Sequence, residues 1–103
     1  MNDSDEFVSE PIEPRPGRFD AAAMARGEPG LPADFTWRGR PYTVGRLLAT
    51  WKTSGLDAGD LYLRRHWYRI QTTTGEQMVL YCERHPRNRG KPKARWWLYT
   101  IRR

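Results

Sequence analysis

An all-β domain is expected from three features of this chain. Aromatic and β-branched side chains crowd its C-terminal two thirds, runs of period-two alternation recur there, and turn-forming residues cluster between the runs. Of the thirteen aromatic residues, eleven follow Asp34. The expected architecture is a small five-stranded antiparallel barrel or curled sheet, SH3-like or OB-like, over residues 34–103. A flat sheet of that size would leave both edges and one face unprotected. Residues 1–33 read as a disordered tail.

The elements follow in order. The tail holds Pro11, Pro14, Pro16, Pro29 and Pro32 among scattered acids, with few large apolar side chains to offset the entropy of ordering it. Within it, Phe19 to Arg26 has the composition of a short, marginal helix ended by Gly27. Asp34 to Trp37 and Pro41 to Val44 alternate around Arg38-Gly39-Arg40, a β-hairpin pattern. Residues 44–52 are ambiguous: Val44, Leu47, Leu48 and Trp51 match the spacing of a helical face, or the strand continues past a bulge at Gly45. A glycine in the first helical turn weakens the first alternative, so a bent strand is favoured. Thr53 to Asp60 reads as a loop by composition. Leu61 to Thr73 reads as a long strand, Thr74-Gly75 as a turn and Gln77 to Glu83 as the returning strand. His85 to Ala94 forms a second loop, and Arg95 to Ile101 the last strand.

Charge divides at the same boundary. Residues 1–33 carry seven acidic and three basic side chains, a balance of −4, while residues 34–103 carry five and fifteen, a balance of +10; together they make the net +6 of the chain. A basic, aromatic-rich body tethered to an acidic tail is suited to polyanions, and the tail is placed to compete for the same surface. Other classes find little support. Cys82 is the single cysteine, so neither an intramolecular disulfide nor a cysteine zinc cluster is expected. His66 and His85 sit at no metal-ligand or nucleophile spacing, no phosphate-cradling glycine loop is present, and no cofactor or enzymatic activity is expected. No apolar run reaches membrane-spanning length and the N-terminus lacks the pattern of a signal peptide, so a cytoplasmic location is expected.

Alternation also assigns faces. One side of the third strand carries His66, Tyr68 and Ile70, and the other Arg65, Trp67, Arg69 and Gln71. In the fourth, Met78, Leu80 and Cys82 oppose Val79, Tyr81 and Glu83; in the fifth, Trp96, Leu98 and Thr100 oppose Arg95, Trp97, Tyr99 and Ile101. A closed barrel has a single interior, so some of Trp67, Tyr81, Trp97 and Tyr99 are expected at the surface beside arginines. Flat rings stack on unpaired bases, and guanidinium forks grip phosphates and also stack on rings. The candidate site for single-stranded nucleic acid is therefore Arg65, Trp67, Arg69, Tyr81, Trp97 and Tyr99, with Arg87, Arg89, Lys91, Lys93 and Arg95 of the basic loop as a phosphate clamp. Two alternatives use the same residues. Cross-strand aromatics covered by arginines also make ordinary packing, and exposed rings also anchor protein partners.

The order Trp37-Arg-Gly-Arg40-x-Tyr42-x-Val44, Leu48-x-x-Trp51, Trp67-Tyr-Arg-Ile70, Leu80-Tyr81 and Arg95-Trp-Trp-Leu-Tyr99-x-Ile101 resembles an uncharacterised family of small bacterial domains. It is also similar to the C-terminal segment of inactive Y-family polymerase relatives belonging to a DNA-damage mutagenesis complex. The resemblance spans roughly Phe35 to Ile101 and brings no established activity. It implies a setting near DNA repair, with a nucleic acid or a protein of a repair complex as the partner.

Overall fold

A computed structural model of the chain describes residues 5–25, 30–56, 62–84 and 96–103. Seven strands form one curled antiparallel sheet, a half-barrel: β1 (Glu6–Pro11), β2 (Glu13–Pro14), β3 (Asp34–Trp37), β4 (Arg40–Leu56), β5 (Tyr62–Thr72), β6 (Gln77–Arg84) and β7 (Trp96–Arg102). Their order across the sheet is β1-β7-β6-β5-β4-β3-β2. A single helical turn, α1 (Ala21–Ala25), starts where Asp20 Oδ1 accepts the Ala22 amide at 3.0 Å.

The five expected strands are present as β3 to β7, and the two additional ones come from the segment read as disordered. The correction has a clear cause. β1 and β2 are consecutive in the chain yet lie on opposite edges of the sheet, separated only by Ile12. The segment therefore bridges the two edges as the sheet curls. Ile12 packs into the core, and its amide donates to the Trp96 carbonyl at 3.0 Å. Counting polar and proline residues missed this because two side chains, buried Ile12 and partly buried Val8, anchor the segment between two short pairing runs. The acidic side chains help: Asp5 pairs with Arg102 at 2.9 Å, and Glu10 accepts from Arg38 at 2.7 Å and from Trp37 Nε1 at 2.8 Å.

The hairpin between β3 and β4 turns through Arg38 and Gly39, both at positive φ (52° and 75°), the pattern of a type I′ turn whose twist suits the flanking strands. β4 is a strand throughout, and its register with β5 shifts between Val44 and Arg46 and again between Leu47 and Ala49. Gly45 lies at the first shift. A Cβ there would sit 3.3 Å from the Gln71 carbonyl oxygen, so the close approach of the two strands at the bend leaves little room for a side chain. β4 also runs on to Leu56, through part of the segment read as a loop from Thr53 to Asp60; residues 57–60 lie outside the described residues.

Curling creates one interior. Phe35, Trp37 and Tyr42 fold over Tyr68, Ile70, Met78, Leu80, Cys82, Trp96, Leu98 and Ile101, with Ile12 closing the mouth. The faces of β5 and β6 are as alternation assigned them. β7 differs: a bulge opposite Val79 and Leu80 inserts one extra residue, so Ile101 turns inward against the expectation that it shared the face of Trp97 and Tyr99. A one-residue slip reverses every subsequent side chain.

Candidate nucleic-acid interface

The convex side of the sheet carries a row of aromatics set by register. Trp51 of β4 faces Trp67 of β5, Trp67 faces Tyr81 of β6, and Tyr81 faces Trp97 of β7. Ring centroids along the row are 6.0, 4.8 and 6.1 Å apart, the outer two pairs being parallel stacks. The β7 bulge sets Tyr99 beside this row, edge-on to Trp67 at 5.1 Å, and exposed Phe7 of β1 meets Tyr99 edge-on at 5.3 Å. The band therefore crosses five strands.

Cations flank it. The Arg65 guanidinium lies 4.7 Å over the Tyr81 ring and pairs with Glu83 at 3.3 Å. Arg69, four residues along β5 on the same face and beyond Trp67, has no ion-pair partner among the described residues. Trp67 Nε1 donates to Thr53 Oγ1 at 2.8 Å, which fixes the indole orientation. Of the expected site residues, Arg65, Trp67, Arg69, Trp97 and Tyr99 are thus brought together at a half-exposed surface.

Tyr81 departs from expectation. It is only 5% exposed, sealed by Trp67, Trp97, Tyr99 and Arg65, and so serves as the floor of the band instead of a stacking face. Burial is the main cause that pushes its phenol pKa up, against the Arg65 charge and a hydrogen bond with Ser9. Arg87, Arg89, Lys91, Lys93 and Arg95 lie outside the described residues. Two members of the band escaped sequence reasoning. Trp51 lies in the segment favoured as a bent strand, whose bulge leaves its faces unassigned by alternation; Phe7 lies in the acidic segment read as disordered.

The acidic segment does not cover this surface through any described ion pair: Asp5 and Glu10 are committed to Arg102 and Arg38. Glu10 is held below the usual carboxylate range first by its hydrogen bond with Arg38 and then by that with Trp37. On the concave side, His66 faces Cys82 in register, both buried, and the imidazole hydrogen-bonds Thr50 Oγ1 at 3.1 Å. No cluster of His, Cys, Asp and Glu suited to a metal occurs among the described residues. No helix among them is long and apolar enough to cross a membrane.

The family model of a domain of unknown function, DUF6504, matches residues 1–103. The chain belongs to this family. The match takes in the acidic segment as well as the basic body, in keeping with the place of β1 and β2 in the sheet. No curated protein and no solved structure matches the chain.

Proposed function

We propose that this domain is a non-catalytic binding module for single-stranded nucleic acid, using the convex aromatic band. The observation that carries the reading is the row Trp51, Trp67, Tyr81 and Trp97, continued by Tyr99 and Phe7, with Arg65 and Arg69 on the same face. Half-exposed indoles offer stacking surface to unpaired bases, worth about 1 to 3 kcal/mol per base. In this reading Arg69 takes a phosphate, and Arg65, its guanidinium over Tyr81 and paired with Glu83, lends positive charge to the same face. The resemblance of residue order to the tail of the inactive polymerase relatives extends the reading to strands exposed during DNA repair in a cytoplasmic setting.

Tryptophan fluorescence tests it directly. Titration with a short oligothymidylate at two salt concentrations is expected to quench the indoles, and contact with about five phosphates gives a slope of log affinity against log salt of roughly −3.5. Absence of quenching at low salt would overturn the proposal.

One observation favours a protein partner as a second reading: Leu47 and Leu48 are exposed on β4 beside Trp51, an apolar extension of the band. A protein contact anchored on these side chains is expected to be nearly insensitive to salt, unlike phosphate binding.

A further inference from the structure

We propose that the outer edge of β4 is a dimerisation surface on which a second copy of this chain pairs antiparallel, about a two-fold axis near Trp51. The inference goes beyond nucleic-acid binding and is independent of it. β3 covers β4 only from Arg40 to Thr43, so among the described residues the stretch Gly45 to Thr53 has a strand partner on one side alone, β5. The other edges of the sheet are protected differently: β1 and β2 are short, interrupted by a bulge or by prolines, and joined through Ile12. β4 lacks those defences over its straight portion from Ala49 onward.

The side chains agree. Of the four large apolar residues exposed among the described residues, three lie on β4: Leu47 at 48%, Leu48 at 38% and Trp51 at 38%. An edge with unpaired backbone groups and apolar side chains is a template for another strand. The charge pattern admits a second copy. With Trp51 on the axis, Lys52 opposes Thr50 of the second copy and Ala49 opposes Thr53, so no like charges meet across the straight portion. Trp51 already stacks on Trp67 at 6.0 Å, and its open side then meets its counterpart, which continues the aromatic row from one sheet into the next. Such an interface is isologous and closes at two copies.

Each copy carries a net charge of +6, so salt, which screens the repulsion, strengthens this association. That sign is opposite to the one expected for nucleic acid, and the assay contains none, which keeps the two proposals separable. Sedimentation equilibrium of the full chain across the micromolar to millimolar range, at low and high salt, is the test. A dimer that tightens with salt, and that Leu48→Lys and Trp51→Lys each weaken at least about tenfold, with the Leu48 variant keeping the thermal midpoint of the monomer, supports the proposal. A chain that stays monomeric throughout, or a dimer indifferent to both substitutions, overturns it. Amide hydrogen exchange supplies a second readout: residues 45–53 gain protection with concentration if the edge is paired by a second copy. Unchanged exchange in a monomer leaves that edge to some other occupant and refutes the assignment.

Discussion

Replacing Ile12 with alanine tests whether the acidic segment is a working part of the fold. Ile12 is 3% exposed, belongs to the central core cluster and is the only residue between β1 and β2. The substitution removes three buried carbons, worth about 2.4 kcal/mol at roughly 0.8 kcal/mol per methylene. The mouth of a half-barrel relaxes only partly around the cavity, which brings the expected cost to about 3 kcal/mol, inside the range of such truncations. For a domain of this size that lowers the midpoint of thermal unfolding by about 12 to 24 °C. Thermal or urea unfolding followed by tryptophan emission measures it, since the Trp37 and Trp96 indoles are buried in the same core cluster as Ile12. Glu6→Ala, on an exposed position of β1, serves as the control and changes stability by no more than about 0.5 kcal/mol. An Ile12→Ala loss below about 1 kcal/mol would refute the reasoning and return residues 5–14 to the status of a tail.

Two further outcomes follow from the same contacts. Glu10 has a folded pKa below its ordinary value, so its contribution to stability is complete above the usual carboxylate range, near about 4.3, and is lost as pH falls through the depressed folded value; Glu10→Gln keeps an acceptor for Trp37 but flattens that part of the acid-unfolding curve, and an unaltered acid limb would contradict the pairing. Gly39→Ala places a Cβ in open space but forces alanine to φ near +75°, so a loss of about 1 to 2 kcal/mol in urea unfolding is expected from backbone strain alone, and a neutral result would contradict the turn geometry.

Much of the sheet was legible because its strands obey local rules. The turns at Gly39 and Gly75 require positive φ, and the alternation of Arg65 to Gln71 and of Met78 to Glu83 is unbroken, so both faces followed from period two. What was not legible depends on events outside a local window. The β7 bulge moves Ile101 inward and Tyr99 sideways through one extra residue that the sequence Trp-Trp-Leu-Tyr-Thr-Ile does not mark. Burial of Tyr81 depends on the two neighbouring strands, β5 supplying Trp67 and the Arg65 guanidinium and β7 supplying Trp97 and Tyr99. The anchoring of residues 5–14 comes from buried Ile12, partly buried Val8 and two edge pairings, and such long-range closure leaves almost no trace in composition. For the candidate site, the residue types of β5 and β7 pointed to the convex face, while Trp51 and Phe7 joined it only once the register was known.

The five tryptophans make the most direct measurement possible. Trp51, Trp67 and Trp97 lie on the convex band, whereas Trp37 and Trp96 are buried in the concave core. Indole N–H resonances of the full chain, followed during titration with a short single-stranded oligonucleotide at low salt, are predicted to shift for the first three and to hold still for the last two. Spectra that stay unchanged at saturating oligonucleotide, or shifts confined to Trp37 and Trp96, would contradict the account.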